Sequence, residues 1–322
     1  MQIAVTGAAG FVGSNLIARL TGQGHHVTAI DRIRPAEPPS HGSVRWIGAD
    51  ILDAAAMVEA LEGHDVVYHL VAMITLKQED PLAWRVNTEG VSTVARAALA
   101  AGVGRFIHCS SVHSFDQHRC GEVLTETSPR ATDESGLPVY DRSKYAGEQA
   151  LHRVIEEGLD AVICNPTGIY GPRDDVARLS RLNQMAYDAA RGRVPASVGS
   201  GFDLVDVRDV VAGLTLAADK GRTGENYLLA GQSVMLHDLM RTAARTTAHR
   251  GPLFAVPLGV IKAILPIAEP IGHLFGSDVV SRAALGALFA QPTVSADKAR
   301  NELGYTSRPP EETIRDLVHS LI

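Results

Sequence analysis

The sequence predicts an α/β protein: a doubly wound parallel sheet with helices on both faces, followed by a small C-terminal substrate-binding lobe. Three observations carry this. Short apolar runs lacking polar alternation recur through the first 230 residues, as strands buried on both faces require. Segments of helical period fill the intervals between them, the alternation that gives a parallel sheet. The length of 322 residues exceeds what one compact core usually carries, which leaves room for an appended lobe.

The strand candidates in order are IAV at 3–5, HVTAI at 26–30, DVVYHL at 65–70, RFIHC at 105–109, AVIC at 161–164 and NYLLA at 226–230. Helices are expected over 11–21, 54–61, 87–101, 142–157 and 207–218. RPAEPPSHG at 34–42 reads as a surface turn. Residues 1–169 together with 202–230 are assigned to the sheet domain, and 170–201 and 231–322 to the lobe.

Hydrophobic residues at 45% and charged residues at 20% fit an ordinary globular protein with a sizeable core. A net charge of -6 provides no basic field for a phosphate backbone, so a small-molecule substrate is expected and nucleic acid is not. Cys109, Cys120 and Cys164 are odd in number and lack CxxC spacing, and MQIAV enters a strand directly, which points to the cytoplasm. The apolar stretch 253–275 is broken by Pro257, Pro266 and Pro270 and carries Lys262 and Glu269, so no integral membrane segment is expected.

TGAAGFVGSNL at 6–16 follows the first strand and opens a helix, spacing Gly7, Gly10 and Gly13 at every third residue. In that setting the first glycine takes a tight turn and the second lets backbone approach a pyrophosphate. The third lets helix and strand pack closely, while the helix N-terminus offers free N–H groups. Asp31 ends the second strand, where an acid accepts hydrogen bonds from the ribose hydroxyls of NAD and repels the 2′-phosphate of NADP. Arg32 and Arg34 keep NADP open, because a guanidinium there can hold that phosphate.

PVYDRSKYAGEQAL at 138–151 places Lys144 four residues after Tyr140, on one helical face. A free phenol ionises near pH ~10, so service as a base at neutral pH needs ~4 kcal/mol of preference for phenolate. An ammonium beside it supplies part of that. HCSSVHSF at 108–115 brings hydroxyls to the end of a strand, and Ser111 is placed to steady a substrate oxygen. His108, His113 and His118 with Cys109 and Cys120 lack zinc spacing, so no metal is expected.

Together these residues resemble the short-chain dehydrogenase/reductase superfamily, in its extended, NAD-dependent epimerase/dehydratase branch, which implies a Rossmann fold. TGAAGFVG is similar to that branch's TGxxGxxG loop, HLVA at 69–72 to its HLAA strand end, and YDRSK to its YxxxK pair. RFIHCSSV, NPTGIYGPRD and SADKARNELGYTSRPPEETIRD match the strand bearing the serine, the segment beside nicotinamide and the C-terminal end. The resemblance implies Tyr140 as acid/base, Lys144 as its partner and Ser111 as the carbonyl donor, with Ser110 the alternative. It implies a cofactor site from Gly7, Gly10, Phe11 and Val12, then Asp31 and Arg32, then Asp50 and Ile51. Leu70, Val71, Ala72 and Asn87 continue the site, with Tyr140, Lys144, Pro166 and Ile169 at its nicotinamide end. A homodimer through two helix pairs is implied as well.

In FDLVDVRDV at 202–210, Phe202 stands where nucleotide-sugar members carry an arginine, whereas Asn165 is shared with some sugar epimerases. His113, Asn165 and Phe202 are the candidate substrate residues. The pattern is closer to dihydroflavonol reductase-like and hopanoid-associated sugar epimerase-like members. The expected function is NAD(P)-dependent hydride transfer between nicotinamide and a secondary alcohol or ketone carbon. A sugar epimerase with tightly bound NAD is the alternative, and a non-catalytic dinucleotide sensor is the alternative of another class.

Overall fold

The computed structural model describes residues 1–33, 42–263 and 292–322. Arg34 and nearly all of RPAEPPSHG lie outside the described residues, as do Pro266, Glu269 and Pro270. Among the described residues no helix is long and apolar enough to cross a membrane.

The main sheet has seven strands: β1 (Gln2–Thr6), β2 (His26–Asp31), β3 (Val44–Gly48), β4 (Val66–His69), β5 (Arg105–Cys109), β7 (Ala161–Pro166) and β11 (Asn226–Leu229). Their spatial order is β11-β7-β5-β4-β1-β2-β3, and every pairing is parallel. The winding reverses at β1, which pairs with β2 on one side and β4 on the other, so a crevice opens at their C-terminal ends. The expected doubly wound fold is what forms. β3 was missing from the expected strands because it is an edge strand, only half-buried along VRWIG, and so carries no continuous apolar run.

Strand side chains alternate between two cores. Ile3 and Val5 face α1 (Phe11–Gly22) and α7 (Val207–Lys220). Ala4, Val67 and Phe106 face α2 (Ala54–Leu61), α4 (Glu89–Ala100) and α5 (Val139–Glu156). The helix expected over 87–101 forms as α4, and a further helix that was not expected, α3 (Pro81–Asn87), precedes it, the two separated at Thr88 with φ/ψ of -116°/-67°. The Thr88 hydroxyl bonds back to the Trp84 carbonyl at 2.8 Å, a local competitor of the helical ladder. α3 has its own start signal, since Asp80 accepts from Ala83 N at 3.1 Å and Pro81 fills the first turn.

A third core belongs to the lobe. β8 (Gly168–Tyr170), β10 (Gly201–Asp206) and β12 (Gln232–Met235) form its sheet, while β6 (Val123–Leu124) and β9 (Ala196–Gly199) lie outside both sheets. Tyr170, Leu204, Leu239 and Leu317 pack that sheet against α6 (Arg181–Ala190), α8 (Leu236–Thr246) and α9 (Pro310–Leu321). β10 therefore lies in the small sheet, while α7 and β11 return to the large one. Ala296, Ala299, Leu303 and Tyr305 join the main core, so the chain crosses back before its last helix.

Candidate active site

Gly7 follows β1 with φ of 74°, a left-handed conformation that only glycine adopts without strain. A Cβ on it would meet Val71 N at 3.0 Å and the Leu70 carbonyl carbon at 3.1 Å. At Gly13 a Cβ would strike Gly7 O and lie 2.9 Å from Ala8 Cα, so this glycine sets the helix-to-loop spacing. Gly10 differs: among the described residues beyond its chain neighbours, a Cβ there would meet Gly7 O alone, at 3.3 Å. The fold itself demands glycine at 7 and 13, while at 10 the open side faces outward, as a backbone approached by a ligand requires. No side chain caps α1 and no acid sits in its first turn, so its N–H groups stay available to an anion. Phe11 and Val12 are half-buried there. These residues fit a dinucleotide's pyrophosphate.

Asp31 ends β2 and braces the loop, accepting from Ala9 N at 3.1 Å and Ile33 N at 3.3 Å. Arg32 Nη1 lies 4.0 Å from Asp50 Oδ2, an exposed pair of little energetic weight that nonetheless draws the guanidinium toward the next strand. Ile51 is buried, Leu70 and Val71 line the switch point, and Ala72 is exposed beyond them. Asn87 has its side chain fully occupied. Its Oδ1 accepts from Met73 N at 2.8 Å, and its Nδ2 donates to Met73 O at 3.0 Å and to Ser143 Oγ at 2.9 Å. It ties the loop after β4 to α5 rather than presenting free polar atoms. Pro166 is buried at the end of β7 and Ile169 is half-buried on β8.

Tyr140 lies in the first turn of α5 and Lys144 one turn on. The Lys144 side chain is 1% exposed, and its ammonium donates to the Cys109 carbonyl at 3.1 Å. Burial pushes Lys144 down to about 8, with Cys109 pulling the other way. Burial also pushes the Tyr140 phenol above its usual value; a hydrogen bond with Ser111 lowers it, and Asp141 and Cys109 raise it further. Burial therefore opposes the lowering that Lys144 is expected to give the Tyr140 phenol, and the Lys144 ammonium is engaged by a carbonyl.

Ser111 is extended at the end of β5, with its Oγ accepting from His113 N at 3.2 Å. The Ser110 hydroxyl is committed elsewhere, donating to Glu148. Of the two serines, Ser111 is the one beside the phenol.

Glu148 is fully buried and was not anticipated, although 140, 144 and 148 share one helical face. It also accepts from Asn165 Nδ2 at 2.7 Å and Asn226 Nδ2 at 2.9 Å, and it pairs with Arg130. Burial brings Arg130 down to about 10, and its guanidinium stacks 3.9 Å from the Phe115 ring centre. Asn165 corrects an expectation. It has no exposed surface, donates to Ser111 O at 3.1 Å and Ser114 Oγ at 3.0 Å, and accepts from Asn226 at 2.8 Å, leaving nothing for a substrate. It holds the serine loop in place. Phe202 is half-buried and packs with the lobe core, opposite Val234.

His113 is half-buried with its ring centre 5.6 Å from that of Tyr140, and its Nδ1 bonds Asp141 Oδ1 at 2.9 Å. Burial disfavours the imidazolium, but the charge and hydrogen bond of Asp141 outweigh it and raise its pKa. Asp141 carried no signal in the sequence beyond its place in YxxxK. Among the described residues no group of three or more His, Cys, Asp or Glu is placed to hold a metal ion.

The model of the NAD dependent epimerase/dehydratase family matches residues 3–230. The chain is 32% identical over 277 residues to Sterol demethylase protein B of Methylococcus capsulatus, covering 85% of this chain and 83% of that protein. Its identity is 28% over 320 residues to the 4-hydroxy-2-methyl-3-oxo-4-farnesyl-3,4-dihydroquinoline-1-oxide ketoreductase of Stigmatella aurantiaca, covering 96% and 92%. Among solved structures, that of gox2253 is similar with a TM-score of 0.83 at 32% identity, covering 99% of this chain and 97% of that one. A glycine cradle at the switch point and a Ser–Tyr–Lys cluster beside it thus accompany similarity over most of the chain, which belongs to the NAD-dependent epimerase/dehydratase family of extended short-chain dehydrogenases/reductases.

Proposed function

We propose that the protein is an NAD-dependent dehydrogenase/reductase that interconverts a secondary alcohol and a ketone on a largely apolar substrate. The observation that carries this reading is the convergence of Ser111, Tyr140 and Lys144 at the C-terminal end of β5, on the crevice where the glycine loop opens. Bound NAD supplies the hydride acceptor, and its reduced form the donor. Gly10 and the start of α1 would hold the pyrophosphate, and Asp31 the adenosine ribose. The Asp31 carboxylate at the end of β2, which would repel a 2′-phosphate, supports NAD over NADP.

Tyr140 keeps its proton at neutral pH and donates it to the substrate oxygen during reduction. In oxidation the phenol must first ionise, and the buried Lys144 ammonium one turn away lowers that cost. Ser111 donates to the same oxygen, while Asn165 and Glu148 fix its loop. His113, steadied by Asp141, offers its remaining ring nitrogen to a second polar group of the substrate. An apolar substrate is supported by Phe202, which cannot pair with a diphosphate, and by relatives named for a sterol and a farnesylated ketone. The α4–α5 helix pair is the proposed homodimer face, checked by light scattering in solution.

The test is a panel of apolar ketones and secondary alcohols with each cofactor, read by nicotinamide absorbance. Turnover with NAD is expected, and Tyr140→Phe should lower kcat by ~10²–10⁴. Full turnover by Tyr140→Phe would overturn the assignment. Product epimers without net absorbance change would replace the dehydrogenase with an epimerase.

A further inference from the structure

α8 turns Leu236, Leu239, Met240, Ala243 and Ala244 into the lobe core and leaves Arg241 and Arg245 on its outer side, one turn apart. The chain then reverses through Ala248, at a left-handed φ of 60°, and runs back over the helix. At Gly251 a Cβ would sit 2.8 Å from Arg241 Cα, which shows how closely this return segment lies on α8. Arg241, Arg245, His249, Arg250 and Leu253 consequently border one open concavity of about 330 Å³. On its flank His249 abuts the turn at Gly192.

Arg241, Arg245 and Arg250 are exposed, and among the described residues none has an ion pair or a side-chain hydrogen bond. Of the acids nearby, Asp188 pairs with Arg193 at 3.7 Å, and Asp238, three residues before Arg241 on α8, forms no ion pair with it among the described residues. In a chain of net charge -6, this is a local concentration of positive charge against the overall sign. Leu253 on its border and Phe254 next in the chain are large apolar side chains turned to solvent, at 75% and 59% exposure.

The two features together discriminate between ligands. A site for a small free anion gains its strength from enclosed, desolvated donors, and every cationic side chain here is exposed. Basic groups bordered by exposed leucine and phenylalanine match the lipid–water boundary, where phosphates and acyl chains occur within a few ångströms of each other. We infer that this shelf docks the protein on an anionic phospholipid bilayer, with the three guanidinium groups on headgroup phosphates and Leu253 and Phe254 in the acyl boundary. The inference goes beyond the reaction proposed above and does not depend on it.

The experiment is flotation of the purified chain with sealed phosphatidylcholine vesicles and with vesicles enriched in phosphatidylglycerol, at low and high salt. Binding to the anionic vesicles is expected, weakened by salt and small on phosphatidylcholine alone. Each arginine at such a surface is worth roughly fivefold, so the combined Arg241→Glu, Arg245→Glu and Arg250→Glu variant should bind at least roughly a hundredfold more weakly. Leu253→Ser with Phe254→Ser should lose roughly tenfold or more. Melting curves establish that both variants are folded, and the salt dependence of the native chain gives a reading that needs no variant. Failure of the native chain to float with anionic vesicles overturns the proposal, as does undiminished flotation of the arginine variant. A phosphate-dependent rise in melting temperature at constant ionic strength, lost in the arginine variant, would assign the shelf to a free anion and overturn it as well.

Discussion

Asp141 acts on two neighbours through one charge. It opposes ionisation of the Tyr140 phenol and favours protonation of His113, so a protonated His113 shields the phenol from the carboxylate. A histidine whose pKa is raised on folding contributes stability that is complete below its unfolded pKa and is lost as pH rises through the folded one. Asp141→Asn should therefore reduce stability at pH about 5.5 and hardly at all at pH about 9, measured by urea unfolding at the two values. The opposite sign holds for His69 and His108, stacked 5.5 Å apart and fully buried, with Lys144 adding to the disfavour. Burial takes His69 down to about 3 and His108 well below its usual value. Their contribution is present above the unfolded pKa and is lost as pH falls below it, for His69 until about 3. Neither ring nitrogen of His108 has a hydrogen-bond partner among the described residues. Replacing it by phenylalanine should remove about one proton from acid unfolding, or ~1.4 kcal/mol per pH unit, read from the pH dependence of stability. An unaltered slope would show that His108 is not buried neutral.

At the scale of elements, the β1–loop–α1 unit separates two kinds of glycine that the spacing alone makes look equivalent. Gly13→Ala would force the loop off the helix, because the atoms in the way are backbone. We expect a loss of 2 kcal/mol or more, of the size overpacking produces. Gly10→Ala meets only Gly7 O and should change stability by no more than about 1 kcal/mol while weakening NAD binding at least roughly tenfold. Thermal melts beside NAD titrations check both, and equal losses of stability would refute the distinction. The glycine loop was legible because its chemistry is local: strand, turn and helix follow one another in sequence. The Tyr140–Lys144 pair was legible for the same reason, as both side chains ride one helix. Which partner Lys144 engages was not, since the Cys109 carbonyl belongs to a strand 35 residues away. Asn165 was misjudged likewise, because its partners Glu148, Ser111, Ser114 and Asn226 come from other segments.

Across the whole molecule, the lobe is joined to the sheet domain by a charged cluster at the β10–α7 junction. Asp206, almost fully buried, accepts from Arg208 N at 2.7 Å at the start of α7 and pairs with Arg208 at 2.7 Å and Arg308 at 3.3 Å. Arg208 continues to Asp316 on α9 at 2.7 Å, and Arg308 N donates to Asp209 at 2.8 Å. Asp206 is the buried member of a set whose arginines are partly exposed, so removing it leaves cations that water partly solvates and a cost of ~1–3 kcal/mol. Asp206→Ala should lower the melting temperature and speed hydrogen exchange over 310–321. Unchanged protection there would show that α9 is held by its apolar contacts with α6 and α8 alone.

The sequence by itself determined the doubly wound class, the dinucleotide loop with its acid, and the helix that presents Tyr140 and Lys144, because periodicity and short-range spacing encode each of them. Tertiary structure alone decided that burial opposes ionisation of the Tyr140 phenol, that Asn165 is scaffold, and that the chain recrosses to the main core before its last helix. The physical reason is common to all three. Desolvation and hydrogen-bond partnership depend on which distant segments close around a group, and no local pattern in the chain records that.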